Sequence, residues 1–178
     1  MQSTRVSKIV IRRGEVRDLP ELTEIYNHYV RETAVTFDLE PFDPVSRETW
    51  FARFSSRGRH QVFVGEGDGG LLGYACSHTF RAKAAYDRTV ETTVYLDPCA
   101  TGKRLGTQLY ARLFESLRET DVHLAAAGIA LPNEASVALH RRFGFERVGV
   151  FREVGHKFGR AWDVEWWQKR LAAEPGAI

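Results

Sequence analysis

The stretch of residues 89–120 constrains the fold more than any other part of the chain. Residues 90–96 are mostly β-branched or aromatic and alternate between two faces, which predicts a half-buried strand. Asp97-Pro98 ends it, because proline cannot donate to a strand ladder. After a turn at Thr101-Gly102, leucine recurs every fourth residue, which predicts an amphipathic helix of roughly 12 to 16 residues that packs on the sheet. The two faces of the strand carry Val90, Thr92, Val94 and Leu96, and Glu91, Thr93 and Tyr95.

The start of this helix, residues 102–107, has the features of an anion site. The free N–H groups of a helix start and the positive end of its dipole face the same region as Lys103 and Arg104, which suits phosphate. A nucleoside-triphosphate loop is excluded, because that motif requires Ser or Thr after its lysine, whereas Arg104 follows Lys103. On these residues alone, an ordinary helix start with glycines for a tight turn and cations for solubility is the alternative.

Length, charge and cysteine content narrow the class of protein. A chain of 178 residues predicts a single domain spanning residues 1–178, with a frayed tail at 172–178. The formal net charge of +2 and the scattered basic residues argue against nucleic acid as a partner, and no apolar run predicts a signal peptide or a membrane span. Cys76 and Cys99 belong to no metal-binding spacing, so we expect no metal and a reduced, cytoplasmic compartment.

The rest of the chain alternates strands and helices, with hairpins between them, which predicts a mixed α/β sheet. Residues 33–44 contain two prolines and show no clear period, so we expect a loop that covers a site. The first predicted helix follows the capping residue Asp18 and continues through Tyr29. The others are a short helix containing Trp50 after Ser46, and a helix capped by Asn133 and stopped by Gly144. The predicted strands are 7–12, 61–65, 71–79, 122–130, 146–151, 153–158 and 162–171.

Six segments, in their order along the chain, carry a family resemblance: IYNHYV (25–30), TAVTFDLEP (33–41), RAKAAYDRTVETTVYL (81–96), GKRLGTQLY (102–110), LPNEASVALHRRFGF (131–145) and GHKFGRAWDVEWWQ (155–168). Together they resemble the GNAT superfamily of acetyl-CoA-dependent N-acetyltransferases. The likeness is greatest to the phosphinothricin acetyltransferases and the methionine sulfoximine and methionine sulfone acetyltransferases. It spans nearly the whole chain and implies the GNAT fold, a central mixed β-sheet of the α/β class flanked by helices.

The resemblance implies acetyl-CoA as the co-substrate. The turn at residues 102–107 matches the loop that holds its pyrophosphate, and the end of the central strand offers backbone groups to the pantetheine arm. The family commonly has glycine where Arg104 stands and Gln or Arg where Thr101 stands. We therefore expect Arg104 to adopt an ordinary φ, with its side chain outside the phosphate path. The residues implied in acetyl-CoA binding are Val94, Tyr95, Leu96, Gly102, Lys103, Arg104, Leu105, Gly106, Thr107, Asn133 and Ser136, with a simple helix cap as the alternative for Asn133.

The resemblance also implies two catalytic residues, Glu91 and His140. Glu91 matches the general base of the phosphinothricin group, and the chemistry needs one, because an ammonium must lose a proton before its nitrogen attacks a thioester. A solvated strand glutamate is the alternative. His140 lies where many members carry a tyrosine that protonates the departing thiolate, so it is either a general acid, a hydrogen-bond partner or a structural histidine.

For the acceptor, the resemblance implies a pocket beside the central strand. The cations Arg81 and Lys83 suit a carboxylate, a phosphinate or a sulfoximine oxygen, although an exposed loop explains two cations equally well. Phe37 is either a lid or a buried anchor of its loop. The segment 155–168 has more aromatic residues than one sheet face needs, and it lies close to a dimer contact in the resembling proteins, so the resemblance implies a homodimer. The residues implied in acceptor binding are Phe37, Arg81, Lys83, Tyr86, Thr93, Gly128 and Ala130, and the resemblance places Tyr95 around this pocket as well.

These expectations combine into one activity, the acetylation of the α-amino group of a small amino acid analogue such as phosphinothricin, methionine sulfoximine or methionine sulfone. Transfer is direct, within a ternary complex, with a backbone N–H of the central strand stabilising the oxyanion, because neither cysteine matches a nucleophile position. The expected phenotype is herbicide resistance. The alternatives are another amine, namely a polyamine, an aminoglycoside or a protein N-terminus, and a non-catalytic CoA-binding regulatory module.

Overall fold

The computed structural model describes residues 9–171, which form a mixed sheet flanked by helices, as predicted. The strand order is β1-β2-β3-β4-β5-β7-β6, and only β4 and β5 pair in parallel among these residues. The strands are β1 (Val10–Arg13), β2 (Gln61–Gly67), β3 (Gly70–Thr79), β4 (Thr89–Leu96), β5 (Leu124–Ala130), β6 (Glu146–Lys157) and β7 (Arg160–Arg170). The helices are α1 (Leu19–Glu32), α2 (Glu48–Phe51), α3 (Leu105–Leu117) and α4 (Glu134–Arg142).

Helices cover both faces of the sheet, and each face has its own core. The leucine stripe of α3 is fully buried against one face, together with Phe63 and Val90. Leu22 of α1 and Phe51 of α2 pack against Tyr74 on the other face. The apolar repeat therefore forms the helix expected from it. Within residues 9–171, no helix has the length and apolar character needed to span a membrane.

The pairing of β4 with β5 is short, and this shapes the site. Their parallel register covers only Thr89↔Leu124, Val90↔Ala125 and Glu91↔Ala126. Beyond Glu91 the two strands run on without pairing to each other. The sheet is consequently open between the ends of β4 and β5, and this gap connects its two faces.

Several element boundaries differ from the prediction. The two predicted strands 146–151 and 153–158 form one strand, β6, whose register with β7 shifts between Phe151 and Gly155, where Glu153 has a φ of 52°. Helix α1 continues to Glu32, and α2 begins at Glu48 after a 3₁₀ turn. The first predicted strand begins at Val10, because its residues 7 and 8 and the predicted tail 172–178 lie outside the described residues.

Candidate active site

A cavity of about 670 Å³ lies where β4 and β5 part, on the face that α3 and α4 cover. We call it the α3–α4 cavity. Its walls include the ends of both strands, the turn before α3 and one side of α4. The predicted acetyl-CoA residues that line it are Val94, Leu96, Gly102, Gly106, Asn133 and Ser136, and His140 and Ala130 line it as well.

The turn before α3 is left-handed at two positions. Gly102 has a φ of +75°, as a glycine turn requires, and Arg104 has a φ of 61° and a ψ of 13°. The expectation that Arg104 adopts an ordinary φ is therefore wrong, and the conformation costs a non-glycine residue roughly 1–2 kcal/mol. Lys103 and Arg104 are exposed, with side chains outside the cavity wall. Leu105 is fully buried in the core, so only its backbone N–H is available to a ligand.

Helix α4 is capped as an N-cap asparagine predicts. Asn133 Oδ1 accepts a hydrogen bond from Ser136 N at 3.1 Å. Both residues also line the α3–α4 cavity, so the cap and the predicted binding role are compatible.

His140 is buried, and hydrogen bonds occupy both of its ring nitrogens. Nδ1 lies 2.7 Å from the carbonyl oxygen of Ser136, so it carries the proton and donates. Nε2 lies 3.0 Å from the hydroxyl of Tyr110 and accepts from it. Burial lowers the pKa of His140, which favours the neutral imidazole. These contacts favour the structural alternative, while the general-acid role stays a prediction.

A second cavity, of about 470 Å³, lies on the opposite face of the sheet. We call it the Glu91 cavity. It brings most of the predicted acceptor residues together with the predicted base, Glu91. The acceptor residues that line it are Phe37, Arg81, Thr93, Gly128 and Ala130. Tyr95 also lines this cavity, on the face opposite the α3–α4 cavity, so it can serve acetyl-CoA only through its backbone. Walls that the sequence did not predict include Tyr26, His78, Val164 and Trp166.

The carboxylate of Glu91 is partly buried and has no hydrogen-bond donor among the described residues. Burial raises its pKa above the ordinary range of a glutamate, and the nearby cation of Arg81 opposes this rise. His78 lies directly across the β3–β4 pair from it. A carboxylate in this state has free lone pairs and an increased proton affinity, as a general base requires.

Lys83 and Tyr86 are not brought to the Glu91 cavity. Both lie at the 3₁₀ turn that precedes β4, where Lys83 is exposed and Tyr86 has 44% relative exposure. The ring of Tyr86 packs on Phe80, with centroids 6.0 Å apart. Phe80 also contacts Trp166 at 5.9 Å and lies 4.8 Å from the guanidinium carbon of Arg81. Tyr86 thus supports the cavity wall from behind.

The loop 33–44 covers the Glu91 cavity and is anchored at several points. Lys157 Nζ donates to the carbonyl oxygen of Thr36 at 2.8 Å, and the hydroxyls of Tyr26 and Thr36 lie 2.6 Å apart. Phe37 packs directly on the backbone of Gly155, where a Cβ atom would lie 2.2 Å from the ring. Phe37 is therefore held as a loop anchor that also forms a wall of the cavity.

The two cavities meet through the open part of the sheet. Val35 and Ala130 line both of them. The opening of the sheet begins after the last β4–β5 pair, Glu91↔Ala126, and Glu91 lines the cavity on one side of it. An acyl donor held on one face and an amine held on the other would therefore approach each other beside Glu91.

Comparison with known proteins agrees with this architecture. The family described as "Acetyltransferase (GNAT) domain" matches residues 11–166. The chain is 50% identical to a phosphinothricin N-acetyltransferase of Streptomyces coelicolor, over 93% of this chain and 98% of the relative. It is 37% identical to the L-methionine sulfoximine/L-methionine sulfone acetyltransferase of Pseudomonas aeruginosa, over 90% and 94% of the two chains. A solved phosphinothricin acetyltransferase from Sinorhizobium meliloti, in complex with acetyl-CoA, superposes with a TM-score of 0.86 at 30% identity, covering 92% of this chain and 88% of that one. The chain belongs to the GNAT acetyltransferase family.

Proposed function

We propose that this protein transfers the acetyl group of acetyl-CoA to the α-amino group of a small amino acid analogue such as phosphinothricin, methionine sulfoximine or methionine sulfone. The observation that carries the proposal is the meeting of two cavities beside a carboxylate that lacks a hydrogen-bond donor. The names of the relatives from Streptomyces coelicolor and Pseudomonas aeruginosa support this class of acceptor.

The α3–α4 cavity fits acetyl-CoA, which supplies the acetyl group as a thioester. Gly102 and Gly106 line the cavity without a side chain in the way, and a Cβ atom at Gly102 would meet nothing within 4 Å. The first N–H groups of α3 have no carbonyl one turn earlier in the helix, so they suit a pyrophosphate. Lys103 and Arg104, exposed beside this turn, supply positive charge. Along the unpaired end of β4, the backbone at Val94 suits the amide-rich pantetheine arm.

Glu91 accepts the proton that the acceptor's ammonium must lose, directly or through one water. The raised pKa suits this role, because a base works best when its pKa approaches the working pH. Arg81, on the same cavity, suits the carboxylate of an α-amino acid, and a strongly cationic acceptor would be repelled there. A backbone N–H of β4 is the proposed donor to the oxyanion.

Transfer is proposed to be direct, without an acetyl-enzyme. Cys76 is buried, and burial raises the pKa of its thiol to about 11. Its Sγ lies 3.2 Å from Thr93 Oγ1. A thiol with this pKa is almost entirely protonated at pH 7 and is a weak nucleophile. Cys99 is exposed in the turn after β4 and lines neither the α3–α4 cavity nor the Glu91 cavity.

A homodimer is also proposed, and strand β6 supports it. Four large apolar side chains on or next to this edge strand are more than half exposed. Such a row favours burial against another surface. They are Val148, Phe151, Val154 and Phe158. Light scattering tests the dimer.

A cytoplasmic location and resistance of host cells to the herbicide phosphinothricin belong to the same proposal. Growth on phosphinothricin tests the resistance.

A thiol-release assay tests the activity. At equal acetyl-CoA, phosphinothricin, methionine sulfoximine and methionine sulfone are compared with a polyamine, an aminoglycoside and a peptide with a free N-terminus. We expect turnover with the first three, loss of most activity in Glu91→Gln, and unchanged acetyl-CoA affinity by calorimetry. Faster turnover of a cationic amine would assign a different substrate. Acetyl-CoA binding without thiol release from any acceptor would indicate a regulatory module instead.

A further inference from the structure

A third cavity, of about 310 Å³, lies beside the Glu91 cavity on the same face of the sheet. We call it the Arg47 cavity. It is enclosed by α1, the loop 33–44, the short helix α2, and strands β3 and β4. A ligand in the Glu91 cavity borders the Arg47 cavity directly, because the two have walls in common. The shared walls are Tyr26, His78, Thr93 and Tyr95.

Arg47 is buried in a cage of aromatic rings, with 6% relative exposure. Its guanidinium carbon lies 3.9 Å from the ring centroid of Trp50, 4.6 Å from that of Tyr26 and 5.7 Å from that of Phe42. The faces of these rings stabilise a cation but accept no ordinary hydrogen bond. Nη1 is buried and has no hydrogen-bond partner among residues 9–171. A buried donor without a partner is costly and calls for a ligand.

The charges around Arg47 leave it without a counterion. Asp38 lines the same cavity, but its carboxylate accepts a hydrogen bond from the hydroxyl of Tyr26 and lies in the field of Lys157. No ion pair joins Arg47 to a carboxylate in the described part of the chain. Arg53 adds a second cation to the wall. The cavity therefore carries an excess of positive charge and suits an anion.

The two histidines of the wall, His60 and His78, do not change this balance. Burial lowers the pKa of each, so the neutral form is favoured at pH 7. They leave the arginines as the cations of the cavity. A neutral imidazole can still donate one hydrogen bond to an anion from a ring N–H.

The position of the Arg47 cavity indicates which end of an acceptor reaches it. In an α-amino acid, the carboxylate is attached to the carbon that carries the amine. Arg81 lines the same cavity as Glu91 and lies near enough for its charge to lower the pKa of that glutamate. An amine beside Glu91 therefore brings the acceptor's carboxylate within reach of Arg81. Arg47 lies beyond the shared walls Thr93 and Tyr95, so it is placed for the far end of the side chain.

We propose that the Arg47 cavity binds the distal end of the acceptor side chain, and that Arg47 selects acceptors carrying an anionic group there, such as a phosphinate. The guanidinium of Arg47, which lines this cavity, donates to that group. The inference rests on the proposed function and adds to it a preference among acceptors. A neutral sulfone at the same place accepts a weaker hydrogen bond and gains no ionic attraction.

The test compares KM for phosphinothricin and for methionine sulfone in the wild type and in Arg47→Met, which keeps a long side chain without charge. We expect KM for phosphinothricin to rise on the order of ten- to a hundredfold and KM for methionine sulfone to change less than about threefold. Arg47→Lys should lie between. Arg112→Met is the control, since that arginine lies over Phe63 on the opposite face of the sheet, and it should change neither value.

Equal increases for both acceptors would overturn the proposal and leave Arg47 with a structural role. If Arg47→Met does not fold, as judged by thermal unfolding, Arg47→Lys carries the test, and an unchanged ratio of the two KM values refutes the proposal. If the wild type turns over neither acceptor, the proposed function fails. Calorimetry with phosphinothricin then tests the Arg47 cavity separately from turnover. The proposal requires that phosphinothricin binds the wild type and that its affinity falls at least about tenfold in Arg47→Met.

Discussion

The contact between Phe37 and Gly155 gives a prediction whose size follows from the geometry. A Cβ atom at Gly155 would lie 2.2 Å from Cζ of Phe37 and 2.4 and 2.5 Å from the two neighbouring ring atoms. Ordinary contact begins at 3.4 Å, so Gly155→Ala requires a shift of more than 1 Å at the ring. The loop cannot follow, because Lys157 and Tyr26 hold Thr36 on both sides. The ring must therefore move, and the space available to it is the Glu91 cavity, which it lines.

Overpacking of this kind costs roughly 1–3 kcal/mol, which lowers Tm by about 2–12 °C in a chain of this size. A ring displaced into the cavity also competes with the acceptor, so its KM should rise on the order of tenfold, while acetyl-CoA affinity stays unchanged. Differential scanning fluorimetry and steady-state kinetics measure the two effects. Gly149→Ala, on the same strand, is the matched control, since a Cβ atom there meets nothing within 4 Å.

Phe37→Ala tests whether the ring is the cause. It removes the atoms that the new methyl group meets, so Gly155→Ala should cost little in that background. The coupling energy of the double-mutant cycle should therefore be about 1–3 kcal/mol. The reasoning is refuted if Gly155→Ala keeps the Tm and the acceptor KM of the wild type. It is also refuted if Gly155→Ala lowers stability equally in the wild type and in the Phe37→Ala background.

Three further perturbations follow from the site. Glu91→Gln should lower kcat by on the order of 10²- to 10⁴-fold. It should also abolish the fall of kcat at acidic pH that protonation of Glu91 causes. Burial makes the pKa of Glu91 higher in the folded than in the unfolded chain, so its ionisation lowers the stability of the fold as pH rises through that pKa. At pH 8 the Tm of Glu91→Gln should therefore exceed that of the wild type. Arg104→Gly should gain up to about 1 kcal/mol in urea unfolding, and a loss would contradict its left-handed φ. Tyr110→Phe should cost about 1–3 kcal/mol by leaving Nε2 of His140 without its donor, and an unchanged midpoint would argue against that bond.

Local periodicity was enough to predict the central part of the fold. A period of two placed Glu91 and Thr93 on one face of β4 and Val94 on the other, and the structure separates them between two cavities in that way. A four-residue leucine repeat predicted α3. These features depend on residues near one another in sequence, so a pattern in the chain records them.

The parts that sequence analysis missed depend on contacts between distant segments. Arg47 and Trp166 line neighbouring cavities from segments that are far apart in the chain. Arg47 belongs to no local motif, and Trp166 lies in the aromatic segment 155–168, which predicts a dimer contact instead. His78 had a usable signal, because it alternates with Cys76 on the strand that pairs with β4. Lys83 is expected from the sequence beside Arg81, but it lies exposed at the start of the 3₁₀ turn before β4 and does not line the Glu91 cavity.

The topology of the sheet explains why the site lies where it does. Antiparallel neighbours pair along most of their length here, but β4 and β5 are joined through α3 and run in parallel. A parallel connection places the start of α3 after the end of β4 and the start of α4 after the end of β5, so two helix starts flank the point where the strands part. Ligands in open α/β sheets bind outside such strand ends. Glu91 is the last residue of β4 that pairs with β5, so it borders the opening and is fixed by strands on both sides. A base needs both properties, because it must reach the reacting amine and must not move away from it.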